Sequence, residues 1–429
     1  MMAGTDREGR AVGSQSASLG DYVALGAGPV ARIRRMLAIF VMISGGCFTG
    51  LMTTALSPSM VAIKSHFGHD ASAALVAQLV VTTASLGVVV GGPIAGWLIE
   101  RAGIRRVLIA ALPLYGMFGS AGLLLESAPT LFAARFGLGF CAATIFTASV
   151  TLLGDSLVGG GRARALGFKT TVAAGFAVLS VMMSARIAEA AGWRMPFALY
   201  GAVALVMLCI VLFSVESPPR EKERPVGGNS RTMAVLILWP VYAVVLAIST
   251  ITILNQTQVP LLLASDHDVP PTTIAWVITA GTLAYTIGSL FYGSLQVRIG
   301  ARRMFALNLA LIGSGVTILG LSHMLMLSAF GCILLGTGGG LMQPYMLNIL
   351  LDRAAPETRG RAIGLLSPAI NLGQFLSPLL FFLLFTNLGG HGAFLAIGIA
   401  LFLSATIGLR TGVPAVRART PGGGSQPTS

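Results

Sequence analysis

GWLIERAGIRR, Gly96 to Arg106, and GSLQVRIGARR, Gly293 to Arg303, are the two stretches on which the reading of this chain turns. Gly96, Arg101, Gly103, Arg105 and Arg106 return as Gly293, Arg298, Gly300, Arg302 and Arg303, each 197 residues further on. The same offset carries Asp155, Arg164, Ala165 and Gly167 onto Asp352, Arg361, Ala362 and Gly364. It also carries Phe197 and Gly201 onto Phe394 and Gly398. One offset holding at three separated places marks a duplicated chain. Each basic motif lies between two long apolar runs, so it reads as a tight turn joining two helices.

Outward from these turns the composition settles the class. The chain of 429 residues is 55% hydrophobic and only 10% charged, against roughly 25% charged in soluble domains. Its 28 Lys+Arg and 15 Asp+Glu cannot coat the surface of a soluble protein that long, which excludes a soluble enzyme. A bilayer core about 30 Å thick needs about 20 apolar residues per helix. Twelve runs qualify, near 36–57, 73–98, 106–125, 130–153, 166–189, 196–215, 233–263, 272–296, 303–322, 325–350, 362–386 and 392–410. The expected fold is an all-α membrane protein, twelve transmembrane helices in two homologous six-helix halves. Residues 1–35 and 412–429 read as disordered tails, 36–215 and 233–411 as the halves, and 216–232 as the linker. Parallel halves of this kind are a transporter plan, with the substrate between them near mid-membrane.

Charge orients the bundle. With the N-terminus inside, 24 of the basic residues fall at inner turns, tails or the linker, Lys169 among them, and only Lys64, Arg186 and Arg194 fall outside. Positive residues concentrate on the cytoplasmic side of membrane proteins. The net charge of +13 is therefore topology, not a nucleic-acid surface, and both termini are expected in the cytoplasm with the chain in the inner membrane. The cysteines, Cys47, Cys141, Cys209 and Cys332, each lie inside an apolar run and lack metal-ligand spacing. LGTGGGLM, Leu335 to Met342, lacks the Gly-Lys-Ser/Thr of a nucleotide loop.

The doubled turn resembles the loop motif of the major facilitator superfamily: glycine, three residues, an acidic residue, a basic residue, any residue, glycine, then basic residues. Arg135 and Gly139 in RFGLG resemble the family's arginine motif in its fourth helix, and GWRMPF, Gly192 to Phe197, is common in the family. The resemblance spans roughly residues 36–411. It implies rocking of two halves about a central site, a small-molecule substrate with a coupling proton as the family default, no cofactor and a monomer in the bilayer. It also implies a conformational switch at the inner face. There Glu100, Arg105 and Asp155 would meet Arg361, with Gly96, Arg101, Gly103, Arg298, Gly300, Arg302 and Asp352 completing the paired turns. This chain departs from the pattern: Glu100 replaces aspartate, Val297 stands in the second copy, and Ile104 and Ala301 take the first basic position. The glycine–proline motif of proton-driven drug antiporters is absent from TTVAAGFAVLSVMMSA, Thr170 to Ala185.

Polar residues inside hydrocarbon are expensive and mark pathways or helix contacts. Gln78, Thr82 and Ser85 share one helical face. Asn255, Gln256, Gln343, Asn371 and Gln374 are amides at similar depth in the second half, with Tyr285 beside them. Eight positions, with Arg135 as the embedded charge, are the candidate substrate site: Arg135, Gln78, Asn255, Gln256, Tyr285, Gln343, Asn371 and Gln374. No Asp or Glu lies mid-span, which disfavours a strongly cationic substrate and leaves no evident proton carrier. His66, His69, His267, His323 and His391 all fall at outer loops. NLGQFLSP, Asn371 to Pro378, resembles efflux members, so efflux is expected ahead of uptake. A membrane enzyme would need clustered acidic residues or histidines within a span, and a non-transporting scaffold would need a large soluble domain.

Overall fold

The computed structural model describes residues 29–156, 160–215, 238–266, 269–353 and 359–411. The tails at 1–28 and 412–429 and the linker at 216–237 lie outside them. The described chain is helical throughout apart from short turns, and ten of its helical stretches are long and apolar enough to cross a membrane.

The first helix, α1 (Pro29–Thr54), starts seven residues before the apolar run at Met36. The alanine and three arginines of VARIRR are good helix formers, the arginines with long basic stems, so the helix extends past the apolar boundary at Met36. A 3-10 turn at Ser57–Ser59 leads to α2 (Met60–Phe67). Helix α3 (Ala71–Ala102) is opened by Asp70, whose carboxylate accepts from the Ala73 N–H at 3.0 Å and the Ser72 hydroxyl at 2.8 Å. Both bonds hold the Asp70 carboxyl below its usual range. Then come α4 (Ile104–Ser120), α5 (Ala128–Ser156), α6 (Gly160–Ala191) and α7 (Ala198–Ser214).

The run expected at 233–263 as one span is three short helices over its described part. These are α8 (Trp239–Thr252), α9 (Leu254–Thr257) and α10 (Val259–Asp266). Pro260 withholds a backbone donor next to the second break. The first break, at Ile253, falls 197 residues after the break between α1 and α2.

Two elements are far too long for one crossing: α11 (Pro271–Leu321, 51 residues) and α13 (Arg359–Thr411, 53 residues), flanking α12 (Leu325–Arg353). Straight, each would reach about 75–80 Å. Instead α11 is broken at Gly300 (φ 78°) and α13 at Gly389 (φ 69°). Gly103 (φ 83°) and Gly192 (φ 88°), each 197 residues earlier, turn the chain between α3 and α4 and after α6. Only glycine takes this left-handed conformation without a steric penalty, which is why both copies keep it there.

Two separate apolar cores form. One gathers residues from Val41 to Val215, the other from Leu238 to Ala405. Each core belongs to its own bundle, and the packing inside the bundles repeats in register. Gly139 of α5 lies against the Ala84 carbonyl of α3 so closely that a Cβ would collide with it. Gly336 of α12 lies the same way against the Gly281 carbonyl of α11. Gly116 meets Gly201 and Ala204, and Gly313 meets Gly398 and Leu401. Small residues at helix crossings let backbones approach in the absence of a hydrophobic drive between helices.

The bundles meet along α3 with α13 and α6 with α11. Ser85 Oγ donates to Gln374 Oε1 at 3.0 Å near mid-helix. Further toward the face away from the basic turns, Gln258 Nε2 donates to Gln78 Oε1 at 2.8 Å. Beside that end the Thr272 N–H donates to Glu189 Oε1 at 2.8 Å, and Val181 and Ala185 pack on Ala275. These cross-bundle bonds run from mid-depth to the far face.

Candidate functional site

In the N-terminal bundle Arg135 is 1% exposed. Its Nε donates to the Val80 carbonyl at 2.8 Å and Nη2 to the Met52 carbonyl at 2.6 Å, and the guanidinium lies 5.3 Å from the Tyr200 ring centre. Met52 is within the last turn of α1, whose carbonyls have no partner further along the helix. A cation there meets both the orphan oxygen and the negative helix end. Tyr115 adds a bond to the Phe48 carbonyl at 2.9 Å, and Ser184 donates to the Ala55 carbonyl. Arg135 thus clamps the end of α1 inside its own bundle, with Nη1 left without a partner.

A second buried cation was not foreseen as one. Lys169, expected among the inner-turn charges, is 3% exposed, because α6 begins at Gly160 and carries it nine residues into the helix. Its Nζ donates to Ser149 Oγ of α5 at 2.5 Å and to the Met42 carbonyl of α1 at 3.4 Å, and lies 4.7 Å from the Phe146 ring centre. Gly45 makes this room: a Cβ there would strike Ser149 and crowd Nζ. The sequence signal was the apolar flank GFKTTVAAGF, where a lone lysine cannot reach the basic turn.

The C-terminal bundle holds the amides, and they divide by partner. Gln374 accepts from Ser85 across the bundle interface. Gln343 accepts from the Tyr285 hydroxyl, joining α12 to α11, and its side chain is exposed. Gly339, one turn before Gln343, faces Thr252 and the Tyr285 ring, so these four residues share a neighbourhood. Asn371 Nδ2 turns back to its own helix at the Ser367 carbonyl, 2.9 Å away. Asn255 is buried, donates weakly to the Ile278 carbonyl at 3.4 Å, and leaves Oδ1 without a partner. Gln256 sits beside it, half-buried. Gln78, one of the candidates, is part of the bundle interface, and its partner Gln258 lay outside the sequence reading. The helix breaks at Gln258, so its face cannot be extrapolated from Thr252, Asn255 and Gln256. Threonines of the spans turn back likewise: the Thr82, Thr282 and Thr286 hydroxyls each donate to the carbonyl four residues back in their own helix.

Near the far face a cavity of about 200 Å³ lies between the bundles, lined by Lys64, Gln78, Gln258, Ser265 and Phe385 among others. That is below the roughly 300–1,000 Å³ of small-molecule sites.

At the basic turns, Arg105 Nε donates to the Val215 carbonyl at 2.6 Å, just past the end of α7. Arg101 lies 5.5 Å from the Trp97 ring centre. Glu100, Arg298 and Arg302 are exposed, and a Cβ at Gly96 would meet open space. The side chains of Asp155, Asp352 and Arg361 lie outside the described residues, so the bridge expected among them is not seen here.

A model of the Major Facilitator Superfamily matches residues 42–257 and again 238–429. Riboflavin transporter RibZ of Clostridioides difficile (strain 630) is 26% identical over 159 residues, 36% of this chain and 34% of the relative. Niacin transporter NiaP of Acinetobacter baylyi (strain ATCC 33305 / BD413 / ADP1) is 28% identical over 139 residues, 32% of this chain and 31% of the relative. Multidrug resistance protein 3 of Bacillus subtilis (strain 168) is 28% identical over 120 residues, 28% of this chain and 23% of the relative. The matched stretches thus span about a third or less of these relatives' length. Among solved structures, a D-xylose–proton symporter superposes with a TM-score of 0.71 at 15% identity, covering 88% of this chain and 97% of that one. Two bundles turned at matching glycines, the paired basic loops and a family match over more than half the residues lead to one conclusion: the chain belongs to the Major Facilitator Superfamily.

Proposed function

We propose that the protein is a secondary transporter that moves a small organic molecule by alternating access, here with its cavity open toward the basic face. Splitting α11 at Gly300 and α13 at Gly389 turns ten long helical stretches into the twelve spans of this reading, with 36–215 and 233–411 as the six-helix halves. The basic face is cytoplasmic, in the inner membrane, with both termini on that side. One observation carries the reading: the cross-bundle bonds Ser85–Gln374, Gln78–Gln258 and Thr272–Glu189 run from mid-depth to the far face. That is the closed side of a rocking pair.

The site is the space between Gln343, Tyr285, Thr252 and Asn371 on one side and α1 and α5 on the other. Among the described residues no buried side chain is acidic, whereas Arg135 and Lys169 are buried and basic. A permanent dication would enter without a counter-ion and lose its hydration. Neutral or weakly anionic amphipathic compounds suit the site, with Lys169 the positive group nearest the basic opening. Efflux is the favoured direction; the niacin and riboflavin relatives support a second reading, uptake of a heteroaromatic vitamin-like compound. The Glu100, Arg105, Asp155 and Arg361 switch would close the basic face in the opposite conformation, and a coupling proton remains part of this proposal.

The test is flux in proteoliposomes with nicotinate, riboflavin and a permanent dication as probes, with and without a proton gradient. Transport of a heteroaromatic probe, reduced by Gln343→Leu, is expected. Efficient flux of the dication, indifferent to Gln343→Leu and Lys169→Met, would overturn the assignment of the site.

A further inference from the structure

Three residues far apart in sequence converge at the far end of the C-terminal bundle. Asp266 ends α10, His323 lies in the turn between α11 and α12, and His391 follows the Gly389 break in α13. His391 Nε2 is 2.9 and 3.0 Å from the two Asp266 carboxylate oxygens, and His323 Nδ1 is 3.5 Å from Oδ2. One ligand atom from each residue lies within 4.8 Å of the others. The two imidazole rings are 4.2 Å apart between centres.

The other ring nitrogen of His391 decides the chemistry. Nδ1 is 3.1 Å from the Gly320 carbonyl, which can only accept, so Nδ1 carries the proton. Nε2 is the nitrogen turned to the carboxylate, where either a proton or a metal ion can join the ring to Asp266. A histidine that donates one N–H to a backbone carbonyl while its other nitrogen faces a carboxylate and a second imidazole has the outer support typical of metal ligands.

We infer that Asp266, His323 and His391 form a binding site for a divalent transition metal of the zinc class on the far face of the C-terminal bundle. Bonds of about 2.0–2.1 Å at near-tetrahedral to right angles place ligand atoms about 2.9–3.4 Å apart; the His391–Asp266 contacts at 2.9 and 3.0 Å fall within that range, and His323 at 3.5 Å lies just beyond it. Two imidazoles and one carboxylate suit zinc better than calcium or magnesium, which prefer all-oxygen shells. Three protein ligands leave a fourth position for water, on the exposed side where His323 is 71% accessible. The ion would staple the ends of α10, α11 and α13. Helix α10 follows directly on Gln258, which bonds Gln78 of the other bundle, so the ion would also steady one wall of the small cavity between the bundles. None of this depends on the transport reading.

The experiment uses the full chain in detergent without a histidine tag, titrated with Co²⁺ and then Zn²⁺. One equivalent of Co²⁺ should give an intense visible d–d band, displaced by Zn²⁺, and Zn²⁺ should raise the unfolding temperature by several degrees. His323→Ala removes an exposed side chain, so its metal-free unfolding temperature should match the parent while its metal affinity falls at least tenfold. Asp266→Asn should lose affinity likewise, and His66→Ala, on the other bundle, should keep it. No band beyond that of aqueous Co²⁺, or equal binding by His323→Ala and Asp266→Asn, would overturn the site.

Discussion

The two bundles share a backbone plan and differ in the chemistry they bury. Where the N-terminal bundle has Arg135, the C-terminal one has Cys332; where it has Lys169, the other has Leu366. Conversely, Val88, Phe146, Ala174 and Ala177 stand where the C-terminal bundle has Tyr285, Gln343, Asn371 and Gln374. The cations of the first bundle are bonded inward, Arg135 to carbonyls of α1 and α3 and Lys169 to Ser149 and Met42. Two of the amides of the second reach outward, Gln374 to the other bundle and Gln343 to an exposed position beside Tyr285. The duplication kept its glycines, which the packing requires, and freed the polar positions to diverge. One bundle is a charged clamp, and the other supplies neutral hydrogen-bonding groups.

The largest effect should come from the shared glycines. Gly139→Val and Gly336→Val each drive a side chain into a facing carbonyl, and overpacking costs about 1–3 kcal/mol even where the neighbour can yield. Both should abolish monodisperse protein in size-exclusion chromatography. Loss in one bundle only would break the equivalence.

Next is the pair that differs most. Arg135→Ala orphans the buried Met52 carbonyl and removes a charge-assisted bond to the Val80 carbonyl, for a loss of about 2–4 kcal/mol in thermal unfolding. Cys332→Ala should cost about 1 kcal/mol. Arg135→Lys can satisfy one carbonyl but not both and should fall between them. Equal losses at Arg135 and Cys332 would contradict the clamp. For Lys169→Met and Gln374→Leu the stability change should be small, and flux of a heteroaromatic probe should fall several-fold; unchanged flux in both would return them to packing roles.

The smallest effect is at Asp70, on the surface. Its carboxyl is held below its usual range by Ser72 and Ala73, so its contribution is present above the unfolded-state value and disappears as pH falls through the lowered folded one. Asp70→Ala should therefore unfold slightly earlier than the parent at neutral pH and identically in strong acid. The equivalent position in the second half, 197 residues on, is His267, which lies outside the described residues.

How much of this could be read from sequence follows from the same contrast. The repeat, the basic turns and the apolar runs were legible because glycine at a left-handed turn and arginine at a membrane face leave fixed-spacing marks. Lys169 was legible only through its apolar flank, GFKTTVAAGF, since RARALGFK alone reads as a basic turn until the start of α6 is known. Gln258 was hidden by the breaks between α8, α9 and α10, which reset the helical face. Asp266, His323 and His391 come from three separate turns, and spacing along the chain says nothing about their meeting.

The most direct test of alternating access about a closed far face needs no substrate. In a background with Cys47, Cys141, Cys209 and Cys332 replaced, Gln78→Cys and Gln258→Cys are joined by a short bismaleimide, and Gln343→Cys is then probed with a membrane-impermeant maleimide from each side. The account predicts that the joined protein keeps Gln343→Cys reactive from the basic face alone. Reactivity from the far face, or its loss from the basic face on crosslinking, would contradict it.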